Sequence, residues 1–357
     1  MSDFISSLYL GMKHDSTELK TWNQLTTGMP AGLYETVTSK KVGATVAAMQ
    51  GLESGICAPS TMHIYSDLFG LLSKKRIKLF IDEKIYPVSR YGIEKLSVAG
   101  IKVLSFNHLD AAHLQRMVDK NKMVAGYPVV MTDGWCPVCG RASPVNDYSN
   151  IVRPYGGRVI IDDTQAFGIL GKRPNSSIPY GNGGGGILKW LNVHDANIVT
   201  VVSLAKAFGV PMAIISGSNT FISAFRKKSE TRIHSSPVST AHLHAALNAL
   251  FLNQQKGDKC RAKLWQHVRY VRKQLMKMGI KPGGGIFPVQ HISGSLPDWT
   301  IKLSNRLEKD GIRTVLTAAH DEQQPVVSFM IRYDHTAADI ASFVASVEKE
   351  ILYPQLY

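Results

Sequence analysis

Six short runs dominate the middle of the chain, at residues 76–82, 101–105, 128–132, 158–162, 198–203 and 212–216. Most are β-branched and apolar at consecutive rather than alternate positions. A strand that is apolar on both sides must be covered on both sides, as in a mostly parallel sheet. Between several of these runs lie helix-like segments, such as 89–99 and 109–121. The succession of strand, helix and strand predicts an α/β fold with helices on both faces of the sheet.

Beyond residue 221 the pattern changes. Residues 239–255 are rich in Ala and Leu and predict a long helix; 263–278 predict a second, basic amphipathic helix, stopped by Pro282-Gly283-Gly284-Gly285. Residues 286–292 and 326–333 read as strands, and 299–310 and 337–351 as helices. This is a smaller α+β unit, and a length of 357 residues accommodates two domains. The division expected is an N-terminal arm and helix at 1–50, a large domain at 51–225, an interdomain helix at 226–255 and a small C-terminal domain at 256–357. The glycine run around 183–186 does not link a strand to a helix at dinucleotide-binding spacing, and reads as a loop.

Composition removes several classes of function. Hydrophobic residues at 44% and charged residues at 19% exclude wholesale disorder. No stretch approaches the ~18 consecutive apolar residues of a membrane span. Residues 1–13 lack a basic region leading into an apolar core, so no secretory signal is expected. Four cysteines in a chain of this length do not make a disulfide framework, and a reducing cytoplasm is the expected location. The net charge is 41 − 27 = +14, scattered in short clusters at 74–76, 226–228 and 269–277. Such scatter reads as a solvated basic surface, and no nucleic acid or membrane partner is expected. Cys136-Pro137-Val138-Cys139 invites a zinc reading, but Cys57 and Cys260 lie far away in sequence and zinc takes four ligands. His63, His194, His234, His242 and His244 share no ligand spacing with nearby carboxylates, so no metal site is expected.

Two segments carry the chemistry. The first is Ser203-Leu204-Ala205-Lys206-Ala207-Phe208-Gly209, directly after an apolar strand. A lysine desolvated there has a lowered pKa and forms a Schiff base with an aldehyde; the plain alternative is a surface lysine at a strand end. The second is the strand 158–162, which ends in Asp162 and Asp163. Ligands of parallel sheets bind at the carboxyl ends of strands. A carboxylate at Asp162 can keep a pyridinium nitrogen protonated, whereas the alternative for Asp163 or Thr164 is a helix cap.

In this order and at this separation, Asp162-Asp163-Thr164-Gln165-Ala166-Phe167-Gly168-Ile169-Leu170-Gly171 and then Ser203 to Gly209 resemble the fold type I, aspartate aminotransferase-like transferases that depend on pyridoxal phosphate (PLP). The nearest branch is that of the α-oxoamine synthases, such as aminooxononanoate synthase, glycine C-acetyltransferase and serine palmitoyltransferase. The resemblance implies a large domain with a mostly parallel sheet, a small C-terminal α+β domain and a homodimer. It implies that Lys206 holds PLP as an aldimine, that Asp162 pairs with the pyridine nitrogen and that Ser203 holds the phosphate. Ser60, Thr61 and Met62 stand where the family has a phosphate loop, and Tyr86 where the branch stacks a histidine on the ring. Ser235 and Ser236 match a segment that reaches a phosphate across the dimer interface. Arg332 matches the arginine that takes the substrate carboxylate, with a strand-edge salt bridge as its alternative. Residues 132–135 align with a structural loop near the ring.

Gln165 replaces a histidine that hydrogen-bonds the cofactor's phenolic oxygen; a glutamine can donate a hydrogen bond but cannot titrate. The implied activity is attack of a quinonoid carbanion, formed from an amino acid, on an acyl thioester. The alternative is an aminotransferase or another PLP lyase on the same fold. A non-catalytic, basic nucleic-acid-binding protein is a third class, against which Lys206, Asp162 and Ser203 stand.

Overall fold

The computed structural model describes residues 1–121, 125–294, 297–318 and 324–352. Its centre is a seven-stranded sheet. In chain order the strands are β1 (Ser54–Ala58), β2 (Ile77–Asp82), β3 (Val103–Phe106), β4 (Tyr127–Asp133), β5 (Arg158–Asp162), β6 (Ile198–Ser203) and β7 (Ala213–Gly217). Their order across the sheet is β1-β7-β6-β5-β4-β2-β3. β7 runs antiparallel to both its neighbours, and the other pairings are parallel.

The apolar runs expected to be covered on both faces are covered on both faces. Phe80, Val130, Val159, Ile161 and Val202 point into one core. Their strand neighbours Leu79, Ile81, Val129, Met131, Ile160 and Val201 point into another. The second core is closed by helix α2 (Thr61–Leu72) and helix α3 (Asn219–Lys228). The first is closed by α1 (Val37–Gln50), and it continues without a gap into the C-terminal third through Phe287, Val327, Phe329 and Phe343.

The two helices expected at 239–255 and 263–278 are one, α4 (Thr240–Lys277). Gly257 and the charges around it suggest a break, but they serve an intramolecular contact. Arg261 is buried, and its guanidinium donates to the Gly168 carbonyl and the Asn253 side chain, both at 2.8 Å, and to Asp258 at 2.6 Å. A Cβ on Gly257 would come within 2.3 Å of Asn253 Oδ1 and 2.9 Å of the guanidinium, so glycine makes room for the cluster.

The C-terminal third holds a three-stranded antiparallel sheet of β8 (Val289–Ile292), β9 (Val315–Ala318) and β10 (Pro325–Met330), with β10 in the middle. Helices α5 (Pro297–Lys309) and α6 (Ala337–Leu352) complete it. The N-terminal segment belongs to this region in space. Ser2 and Asp3 pair in parallel with Ile312 and Arg313, and the Phe4 ring packs 4.2 Å from His335 and 4.9 Å from Phe343. Among the described residues, no helix is long and apolar enough to cross a membrane.

Candidate active site

The apolar runs of β2, β4 and β5 each end in an aspartate: Asp82, Asp133 and Asp162. Because β4 and β5 are parallel neighbours, the register places Asp133 directly beside Asp162. β6 ends next to them at Ser203, and the turn that follows delivers Lys206. A cleft of about 290 Å³ opens at this edge, lined by Asp133, Asp162, Gln165, Ser203, Lys206 and Tyr86, and also by Thr61, Thr164 and Pro137. This is where a parallel sheet offers a binding site, since the strand ends leave polar groups that no helix covers.

Asp162 is buried, and three donors fix its carboxylate: the Tyr65 hydroxyl at 2.8 Å, the Ser89 hydroxyl at 3.1 Å and the Thr164 backbone N–H at 3.0 Å. Asp133 is less well served. One oxygen accepts from the Tyr86 N–H at 3.1 Å, while Oδ1 is buried with no partner among the described residues. Burial, and then the charge of Asp162, push the Asp133 carboxyl well above its ordinary range. Burial lowers the pKa of Lys206, while Asp162 and Asp133 act in the opposite sense. The ammonium nitrogen lies 5.7 Å from the centroid of the Tyr86 ring.

Asp163, the next residue, turns the other way. Fully buried, it accepts from the Ile187 N–H that opens the helix Ile187–Trp190 and from the Gln50 amide at 3.4 Å. No helix begins at Asp163 or Thr164, so the local cap does not form; Asp163 serves a helix further along the chain, while Asp162 faces the cleft. Ser203 lines the cleft, its hydroxyl accepting from the Ala205 N–H at 3.2 Å and its own N–H donating to Thr164 Oγ1 at 3.0 Å. Gln165 Oε1 accepts from the Tyr9 hydroxyl at 2.8 Å, so its amide NH₂ remains available to the cleft.

Ser60, Thr61 and Met62, expected as a phosphate loop, sit at the start of α2. Ser60 caps that helix and its Oγ is 2.8 Å from His63 Nδ1; Thr61 reaches the cleft lining, whereas Ser60 and Met62 do not. Ser235 and Ser236 lie elsewhere in the chain, against a cavity of about 20 Å³ shared with Cys57, Asp67 and Arg232. Arg332 is also outside the cleft lining. Its guanidinium is held by Asp3 at 3.1 Å and Asp334 at 3.0 Å, the salt-bridge alternative rather than an open carboxylate site. The reason is the N-terminal segment, which the end of β10 draws to the same spot: Met330 donates to the Phe4 carbonyl.

Asp133, Tyr9, Tyr65 and Ser89 were not read from the sequence as contributors to the cleft. Asp133 had the same signal as Asp162, an apolar run ending in a carboxylate. Tyr9, Tyr65 and Ser89 had none, since each comes from a segment remote from the strand ends it serves.

A sequence profile of the family described as aminotransferase class I and II matches residues 86–320. The chain is 24% identical over 259 residues to an 8-amino-7-oxononanoate synthase of Thermosipho melanesiensis, covering 72% of this chain and 63% of that protein. It is 23% identical over 313 residues to the protein of that name from Petrotoga mobilis, covering 87% of this chain and 74% of that one. The chain thus spans less than two thirds of the Thermosipho relative, and only 44% of an Acidithiobacillus ferrooxidans protein of the same name. Among solved structures, 8-amino-7-oxononanoate synthase from Francisella tularensis shares the fold with a TM-score of 0.77 at 19% identity, covering 99% of this chain and 98% of that one. Serine palmitoyltransferase from Sphingomonas wittichii does so with a TM-score of 0.84 at 14% identity, covering 97% and 86%. With the profile spanning more than half of its length, the chain belongs to the aminotransferase class I and II family.

Proposed function

We propose that this protein is a PLP-dependent α-oxoamine synthase, which joins an amino acid to an acyl thioester. The observation that carries the reading is the placement of Lys206, Asp162 and Tyr86 on one cleft at the carboxyl edge of the sheet. The names of the relatives support the reaction type, and a serine palmitoyltransferase structure of the same fold is described with PLP as an internal aldimine.

The residues present fit that cofactor. A desolvated amine, an anchored carboxylate, an aromatic face and the N-terminus of α2 surround one space, and Asp133 Oδ1 is buried with no partner among the described residues. When bound, PLP supplies an aldehyde for imine exchange and a ring that takes up the electron pair left at the amino acid's α-carbon. Lys206 would carry the cofactor and afterwards move the proton at that carbon. Asp162, immobilised by its three donors, would hold a proton on the ring nitrogen. Thr61 and Ser203, with N–H groups at the start of α2, would hold the phosphate. The Gln165 NH₂ would donate to the phenolic oxygen, with Tyr9 fixing its orientation. Arg332 would take the substrate carboxylate by exchanging it for Asp3 or Asp334.

Ser235 and Ser236 would serve the site of a second copy in a homodimer. The expected domain division belongs to the same reading, with α4 linking the large and small domains. A cytoplasmic location is supported by the four cysteines, all free. A second reading, aminotransferase, rests on Gln165, which cannot supply the acid–base function of a histidine.

Borohydride reduction followed by peptide mapping tests the cofactor, with a pyridoxyl adduct expected on Lys206. Amino acids are then offered with and without an acyl thioester. Release of free thiol only when both are present is the expected result. Conversion of the cofactor to its amine form by amino acid alone would replace this reading with the aminotransferase.

A further inference from the structure

Beside the cleft is a small hairpin that this function does not use. Trp135–Cys136 pairs antiparallel with Arg141–Ala142, with Cys136 opposite Arg141. The turn between them is tight. Gly140, at φ +66°, donates to the Cys136 carbonyl at 2.9 Å, and the Cys139 N–H points at Cys136 Sγ at 3.4 Å. The turn brings both sulfurs to one side.

A third ligand arrives from a different part of the sheet. His108 follows β3, and its Nε2 lies 3.5 Å from Cys139 Sγ. His108 Nδ1 is 2.8 Å from Asp82 Oδ1. Asp82 is buried and also accepts from the backbone N–H groups of Lys84 at 2.9 Å and Leu109 at 3.1 Å, so its carboxylate is fixed. With Nδ1–H donated to Asp82, the Nε2 lone pair faces the sulfurs. The three ligand atoms lie within 4.8 Å of one another.

We propose that Cys136, Cys139 and His108 form a binding site for a zinc-class divalent cation. Zn–S bonds of about 2.3 Å and Zn–N bonds of about 2.0 Å give tetrahedral edges of roughly 3.5 to 3.8 Å, which the Cys139–His108 separation already meets. Two thiolates and an imidazole are the donor set that such a cation prefers, and a carboxylate behind the imidazole is its usual outer partner. A dithiol–disulfide pair would need neither His108 nor Asp82. Cys139 is exposed, so water can complete the fourth position. The site would tie the hairpin to the end of β3. Because Pro137 lies between the two cysteines and lines the cleft, the cation would hold that wall in place.

The test uses the full chain, kept reduced, stripped with a chelator and reloaded with Zn²⁺, with bound metal measured by mass spectrometry. One zinc per chain is expected. Cys139→Ser and His108→Ala should abolish stoichiometric binding, and Asp82→Asn should weaken it on the order of 10–100-fold. Cys260→Ser should bind as the parent does. A second measurement needs no variant: Zn²⁺ should slow alkylation of Cys139 by a maleimide at least tenfold. Absence of stoichiometric zinc, binding that survives both Cys139→Ser and His108→Ala, or unaltered alkylation of Cys139 would overturn the proposal. None of these readouts depends on the cofactor or on turnover.

Discussion

The carboxyl edge of the central sheet and the margin of the C-terminal sheet handle their charged residues in opposite ways. At the first, Lys206, Asp162 and Asp133 converge on an open cleft, and one Asp133 oxygen has no partner among the described residues. At the second, Arg332 is closed off between Asp3 and Asp334. The register of adjacent parallel strands fixes which residues stand side by side, and between β4 and β5 it pairs Asp133 with Asp162. Arg332 has no such guarantee. Its surroundings depend on a segment more than three hundred residues away in sequence, and that segment supplies a carboxylate of its own.

The largest test of this contrast is Lys206→Ala. It should remove the borohydride-trapped adduct and lower turnover by at least about 10³-fold, because imine formation and proton transfer share one amine. An adduct that persists on another lysine would remove the cleft from the chemistry. Asp162→Asn should follow, with a loss of about 10²-fold or more in kcat and the adduct still formed, since the carboxylate acts on the ring nitrogen and not on the imine. Asp163→Asn, one residue away, should leave kcat within about twofold, because Asp163 caps the Ile187 helix and does not face the cleft.

The C-terminal margin gives smaller effects of opposite sign. Arg332→Ala should raise the KM for the amino acid, and Asp3→Ala should lower it by up to about fivefold. A partly exposed ion pair that competes with substrate is worth only about 1 kcal/mol. If both variants instead leave KM unchanged and lower the Tm, Arg332 is a strap and the substrate carboxylate is bound elsewhere.

The smallest effect is a shift in pH dependence. Burial depresses the Lys206 pKa below 10.5, so the neutral amine persists to lower pH than on an exposed lysine. Aldehyde adduct formation should therefore have its midpoint below 10.5, and Asp162→Asn should move it lower still by removing a charge that favours the ammonium. The same sign applies to folding. The contribution of a neutral Lys206 is present above 10.5 and is lost as pH falls through the depressed value.

What the sequence revealed follows the same division. The strands Arg158–Asp162 and Ile198–Ser203 coincide with the apolar runs, because a run of β-branched residues bounded by polar ones is local information. The Asp162–Lys206 pair was legible for that reason. The continuity of α4 through Gly257 was not, since it depends on Arg261 reaching Gly168. Nor was the grouping of His108 with Cys136 and Cys139. The cysteine spacing is visible along the chain, but the histidine arrives through the lateral order β4-β2-β3, which no spacing encodes. The engagement of Arg332 by Asp3 was hidden in the same way.

The path of the N-terminal segment also bears on how the chain is made. Residues 2–9 hydrogen-bond to residues near 312 and 330–333, and Tyr9 then reaches Gln165. Residues 2–9 therefore find their place only after partners some three hundred residues later in the chain have left the ribosome. The central sheet can form during translation. The orientation of Gln165, and with it the finished cleft, has to wait for those later residues, so a chain stalled before residue 312 would be folded at its centre and incomplete at its site.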